Sequence, residues 1–148
     1  NWERAAMIKA RHVAGDPATG ARFLNFIEDF IWRRYLDFES IQDIHSIKRQ
    51  IQSRRDGESI TLPGYNIKIG RGGIREIEFF AVTQQLIWGG KQANLRERRT
   101  LDAMRELENR RHIDGKTRAI LSEAYVFYRK LEHRLQMVAD EQTHTLPK

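Results

Sequence analysis

The chain of 148 residues is of ordinary length for one domain and long enough to bury a core, with 40% hydrophobic and 31% charged residues. Its formal net charge of +6 favours anionic partners, but the basic residues are interleaved with acids and make no basic stripe with exposed aromatics, so no nucleic-acid partner is expected. The lack of cysteine excludes disulfides, thiol nucleophiles and cysteine-based zinc sites; no apolar run approaches the roughly 20 residues of a membrane helix and nothing reads as a signal peptide, so a soluble, cytoplasmic protein without a membrane partner is expected.

Proline is confined to positions 17, 63 and 147, and glycines punctuate long periodic segments, the profile of a helical protein. The chain opens on Asn1-Trp2-Glu3 directly in helical pattern and is expected to be a piece of a longer protein. Trp2 to about Ala14 reads as a helix, with Lys9 on the same stripe as Trp2, Ala6 and Val13. Lys9 either snorkels, burying its stem and exposing its ammonium, or is aimed into a cleft. Gly15-Asp16-Pro17 ends this helix.

A second helix, capped by Thr19, is expected to run to about Leu36, with Phe23, Ile27, Phe30, Ile31 and Tyr35 as its apolar face. Arg33 and Arg34 near its end suit the helix dipole and read as surface charges. A third helix is expected from Ser40 to Arg54. Glu58–Gly64 has no helical period and reads as a loop or hairpin arm. Tyr65-Asn66-Ile67-Lys68-Ile69 alternates and predicts a short strand.

Gly70-Arg71-Gly72-Gly73 is a turn in which glycine permits positive φ and close backbone approach. The helix after it is expected to offer free N–H groups and a positive dipole end. With Lys68, Arg71 and Arg75 around it, the turn is a candidate phosphate or carboxylate site; ordinary chain reversal is the alternative. Ile74 to Trp88 is the central helix, apolar on nearly every side, yet Arg75, Glu76 and Glu78 stand in its opening turns. Buried charge is costly unless paired or at work: these three either satisfy one another and nearby backbone or serve a site.

Gly89-Gly90 closes that helix. A charged helix from Leu95 or Arg96 to about Arg111 follows, its thin apolar side made by Leu101, Met104 and Leu107. The longest helix runs from Lys116 to about Asp140, with Ile120, Ala124, Phe127 or Tyr128, Leu131, Leu135 and Val138 at helical spacing. His133 has no second ligand at metal spacing and reads as structural or surface. The expected fold is therefore a single mostly α domain over residues 1–148, an antiparallel four- to five-helix up-and-down bundle with one short strand and glycine-turn insertion.

Several segments carry a family resemblance. They are Trp2-Glu3-Arg4, Ile8-Lys9-Ala10-Arg11, Arg33-Arg34-Tyr35-Leu36-Asp37-Phe38, Ile67-Lys68-Ile69-Gly70, Gly72-Gly73-Ile74-Arg75-Glu76-Ile77-Glu78-Phe79, Glu132 with Arg134-Leu135-Gln136, and Gln142-Thr143 with Leu146-Pro147. Together they resemble the bacterial glutamine synthetase adenylyltransferase family, also called adenylyl-removing enzymes, and most closely its N-terminal, adenylyl-removing half. The resemblance implies removal of AMP from a tyrosine of glutamine synthetase by phosphorolysis, with orthophosphate consumed and ADP produced, while the other half attaches AMP from ATP. It also implies a regulatory PII partner and Mg2+. The Asp-x-Asp pair that holds the metal in the family is absent from these residues and is expected upstream, so no metal ligands are assigned here and this segment alone is expected to be inactive.

Within that resemblance, Lys9, Arg11, Lys68, Arg71, Gly72, Gly73 and Arg75 are candidate nucleotide or phosphate ligands, because transfer gathers several anionic oxygens in one place. Glu76 and Glu78 are candidates for supporting catalytic roles: orienting those cations, hydrogen-bonding ribose or assisting the metal. Two alternatives are a domain of the PII uridylyltransferase type, whose related segment reads Asp–Ile–Gln where this chain has Glu76-Ile77-Glu78, and a non-catalytic bundle that docks a protein partner.

Overall fold

The computed structural model describes residues 2–34, 42 and 62–147. Among these residues five α-helices are present: α1 (Trp2–Met7), α2 (Pro17–Ile31), α3 (Ile74–Trp88), α4 (Thr100–Asn109) and α5 (Gly115–Ala139), with a short 3-10 turn at Ala93–Leu95. The mostly helical expectation holds. The expected helix over Ser40–Arg54 lies, apart from residue 42, outside the described residues.

α3 is the axis of the fold. One side of it, Val82 and Leu86, joins Ile8, Ile27 and Ile31 in a core shared with α1 and α2, against which Ala5, Leu24 and Trp32 pack. The opposite side, Ile77 and Ala81, meets Met104 of α4 and Leu121, Ala124, Tyr125 and Tyr128 of α5 in a second core. Burying two faces of one helix explains why its sequence leaves so few solvated positions. Its bounds coincide with the expected Ile74–Trp88.

Polar groups join these layers where the backbone leaves its helices. Buried Gln85 donates through Nε2 to the carbonyls of Leu95 and Glu97, at 2.6 and 2.7 Å. Arg96 donates through Nε to the Gly89 carbonyl at 2.8 Å, lies over the Trp32 ring and pairs with Glu28. Buried Arg4 donates to the Ile31 carbonyl at 3.0 Å and so terminates α2. Trp88 stacks on His112 with ring centroids 4.4 Å apart; burial first, and Arg110 second, hold the His112 imidazole below its ordinary pKa.

Several local expectations are corrected. α1 stops at Met7 rather than about Ala14, because Ile8 turns into the first core while Val13 is 77% exposed; tertiary packing overrides local period. α2 is capped by Asp16, not Thr19: the Asp16 carboxylate accepts from the Ala18 and Thr19 amides at 3.2 and 2.9 Å, with Pro17 at the first helical position. The Thr19 hydroxyl, donating to the same carboxylate at 2.6 Å, and then the two amides hold the Asp16 carboxyl below its ordinary pKa. α2 ends at Ile31 and buries Ile27 and Ile31, whereas Phe23 and Phe30 stay exposed; Tyr35 lies outside the described residues. α4 begins at Thr100, later than expected. On α5 the buried side is the one carrying Leu121, Ala124, Tyr125 and Tyr128, while Ile120, Phe127 and Val138 are exposed.

No strand forms over Tyr65–Ile69. The Asn66 side chain accepts from the Lys68 and Ile69 amides, both at 3.0 Å, and curls the segment into a turn. What remains of the expected strand is an isolated antiparallel bridge between Asn66 and Thr145.

Replacing Gln85 by Leu keeps bulk but strips the buried Leu95 carbonyl and the part-buried Glu97 carbonyl of their donor. Urea unfolding of Gln85→Leu is expected to show a loss of about 1–3 kcal/mol, with an unchanged slope against denaturant.

Candidate functional site

The glycine turn is a folded object rather than an open loop. Gly72 has φ +78°, the left-handed region open to glycine. Gly73 is required for a different reason: a Cβ there would lie 2.6 Å from the Ile67 carbonyl oxygen and 3.0 Å from that of Gly70, both backbone atoms. This close approach lets the turn cap α3. The amides of Ile74 and Arg75 donate to the carbonyls of Ile67 and Lys68, at 3.0 and 2.9 Å, and the Glu76 and Gly73 amides donate to Gly73 and Gly70. The expected set of open N–H groups at the start of α3 is therefore corrected, because the turn's own carbonyls occupy them.

Glu76 takes part in the same closure. Its carboxylate accepts from the Gly72 amide at 2.5 Å, reaching back from the first turn of α3. The Tyr65 hydroxyl donates to the Arg71 carbonyl across the turn. Arg71 and Arg75 project from this frame with exposed side chains, and Arg11 is exposed on the segment after α1. None of these three side chains makes an ion pair with another described residue.

Two polar clusters lie beside the turn. In the first, Lys9 meets Glu78: Nζ is 3.9 Å from Glu78 Oε1 and donates to Thr100 Oγ1 at 3.1 Å. The early end of α1 places Lys9 there. The Tyr125 hydroxyl donates to the same Glu78 oxygen at 3.1 Å. Burial first, and the Glu78 carboxylate second, push the Tyr125 phenol above its ordinary pKa, with Thr100 and Arg129 opposing.

The second cluster surrounds Glu132, whose side chain is only 3% exposed. Arg129 Nη1 stands 2.8 Å from one carboxylate oxygen, while His144 Nδ1 and Lys68 Nζ stand 3.1 and 3.5 Å from the other. Lys68 Nζ also lies 3.3 Å from His144 Nε2. Gln136 borders the histidine at 3.5 Å. The C-terminal segment is laid along the turn by backbone as well: the Ile67 amide donates to His144, Gly64 to Leu146, and Leu146 to Tyr65.

Of the sequence candidates, the fold brings Lys9 to Glu78 and gathers Lys68 with the Glu132 cluster, while Glu76, Gly72 and Gly73 build the turn between them. The sequence reading missed Thr100, Tyr125, Arg129, Glu132 as a centre, Gln136 and His144. A signal existed for four of them: Tyr125, Arg129, Glu132 and Gln136 recur at helical spacing along the inward side of α5. An open cleft of about 730 Å3 between α4 and α5, lined by residues including Leu101, Arg105, Arg118 and Phe127, contains none of the sequence candidates.

The carboxylates here do not suit a divalent metal. Glu78 is joined to a lysine and a phenol, Glu132 to three basic side chains, and among the described residues no group of three or more His, Cys, Asp or Glu could hold a metal ion. No described helix is long and apolar enough to cross a membrane.

The family model described as GlnD PII-uridylyltransferase matches residues 44–148, and the chain belongs to that family. Full-length relatives are more specific. The chain is 58% identical over 147 residues to the bifunctional glutamine synthetase adenylyltransferase/adenylyl-removing enzymes of Agrobacterium fabrum and of Caulobacter vibrioides, and 56% identical to that of Bartonella henselae. Each match covers 99% of this chain and 15% of the relative. The likeness carried by the sequence motifs thus extends along nearly the whole chain, which spans about 15% of the length of these relatives.

Because the folded state keeps the Tyr125 proton that the unfolded chain releases, this residue's contribution to stability is constant below about pH 10 and declines as pH rises further. Ultraviolet titration is expected to show a late tyrosine ionisation that belongs to Tyr125. Tyr125→Phe should remove that late step, and Glu78→Gln should move it part of the way back, leaving the share due to burial.

Proposed function

We propose that this chain is the helical domain of an enzyme that reversibly adenylylates glutamine synthetase, from the half that removes AMP by phosphorolysis. The observation that carries this reading is the likeness over 99% of the chain to bifunctional enzymes of that name. In the reaction, an orthophosphate oxygen attacks the phosphorus of the tyrosine-linked AMP. The bond from phosphorus to the tyrosine oxygen breaks, ADP forms, and the phenol recovers its proton. Glutamine synthetase is then the substrate, and a PII protein the regulatory partner, in the cytoplasm.

The residues of this chain supply charge and position. Lys9 and Lys68, with Arg11, Arg71 and Arg75 beside them, offset the negative charge that gathers on the phosphate oxygens. Glu78 orients Lys9, and Glu76 with Gly72 and Gly73 fixes the turn that carries Lys68, Arg71 and Arg75. Since the α3 amides are occupied within the turn, this role falls to side chains rather than to backbone N–H groups. Mg2+, where the reaction uses it, would be held by carboxylates elsewhere in the longer enzyme.

The family description favours a second reading, uridylylation of a PII protein. It ranks lower because Glu76-Ile77-Glu78 departs from the Asp–Ile–Gln of that type and because the 56–58% identical relatives carry the other name.

Substitution of this chain for the matching segment of the Agrobacterium fabrum enzyme tests the proposal. The chimaera is expected to release AMP from adenylylated glutamine synthetase only when orthophosphate is present. The Lys9→Ala Glu78→Gln variant should lose about a hundredfold in that rate, as for removal of a charge-stabilising group. Unchanged release in the double variant would discard the site assignment, and transfer of UMP to a PII protein by the chimaera would favour the second reading.

A further inference from the structure

One carboxylate is neutralised by one cation, yet Glu132 is met by two permanent cations and a histidine. Among the described residues Glu132 is the one carboxylate in contact with Lys68, Arg129 and His144. The cluster therefore carries a surplus of one positive charge with His144 neutral and of two with it protonated. Glu132 is nearly sealed from water, whereas Lys68, Arg129 and His144 keep 34%, 39% and 22% of their side-chain surface exposed. The anion is at the back and the cations are at the front.

Proton placement follows from the contacts. An ammonium only donates, so Nε2 of the neutral His144 ring accepts from Lys68 Nζ 3.3 Å away, while Nδ1 lies 3.1 Å from the Glu132 carboxylate. The ammonium and guanidinium are thus fixed near each other, against their mutual repulsion, by a carboxylate they share. Three stretches of chain supply the parts: the glycine turn, α5 and the C-terminal segment. Arg71 and Arg75, exposed on the same turn, add to the positive field.

We propose that Lys68, Arg129 and His144, held in place by buried Glu132, form a binding site for a phosphate-type oxyanion. The site suits a tetrahedral dianion, whose oxygens take charge-assisted hydrogen bonds from the ammonium and the guanidinium. His144, partly exposed at the front of the cluster, lines the site beside the two cations. Glu132 is a positioning residue here. The site deepens the reading above, in which Lys68 is already a phosphate ligand and Arg129 and His144 have no role; its test uses binding alone, so failure of either reading leaves the other standing.

Nuclear magnetic resonance of the His144 imidazole, with this 148-residue chain at pH 7, tests the proposal. Orthophosphate is expected to shift the His144 signals saturably, while chloride at matched ionic strength does not. Lys68→Gln and Arg129→Gln should each weaken phosphate about tenfold, the scale of one charge-assisted contact. Lys130→Gln, the same charge change one residue outside the cluster, should leave it unchanged. If Arg129→Gln loses helical circular dichroism, Arg129→Lys replaces it and should bind at least half as well as the parent chain. A parallel ADP titration separates the sources: competition with orthophosphate assigns the anion to a nucleotide, and a response to orthophosphate alone assigns it to the free ion. Absence of a saturable His144 shift, an equal shift with chloride, or equal weakening by Lys130→Gln would overturn the site and leave only attraction to the net charge of +6.

Discussion

A carboxylate almost closed off from water has to be matched by cations, and the way Glu132 is matched organises this end of the molecule. Its partners come from its own helix (Arg129), from the turn before α3 (Lys68) and from the chain after α5 (His144). Removing one partner of a buried ion pair typically costs about 3–5 kcal/mol, because it leaves the other charge uncompensated. The cost is moderated here by redundancy, since three basic groups share one anion. The C-terminal segment, which has no apolar core of its own to enter, is held by this cluster and by the backbone bonds of Ile67, Gly64 and Leu146.

That fastening bears on α3. The helix starts where the carbonyls of Ile67 and Lys68 receive its first amides, so the geometry of the turn sets its beginning. From there α3 passes between two apolar cores, and the charged residues at its entrance are sorted by surroundings. Glu76 turns back to the Gly72 amide, Glu78 faces Lys9 and Tyr125, and Arg75 remains exposed. Glu76 realises the first of the two alternatives by serving the fold, and Glu78 lies in a polar seam open in part to solvent.

The helices were legible wherever burial and period agreed. α3 is the clearest case: its two apolar sides and flanking glycines mark Ile74–Trp88 without ambiguity. α5 was legible in extent but not in orientation, because its sequence carries apolar residues on two faces and local pattern does not say which one meets α3. The short strand failed because Asn66 offers the backbone a closer acceptor than a neighbouring strand does. In the candidate site, Lys9 and Glu78 were individually visible, but their meeting depends on α1 stopping at Met7, a consequence of Ile8 entering the core. His144 was unreadable as a partner of Lys68, since the two are brought together by tertiary packing across most of the described chain.

Buried Glu132 fastens the C-terminal segment to the glycine turn and so sets the start of α3. Native-state amide hydrogen exchange in Glu132→Ala, compared with the parent chain, tests it most directly. The Ile67, Leu146 and Arg75 amides are expected to exchange at least about tenfold faster, while amides in the middle of α3 such as Val82 and Leu86 keep their protection. Unchanged protection at Ile67 and Leu146, or an equal loss at Val82 and Leu86, would contradict it.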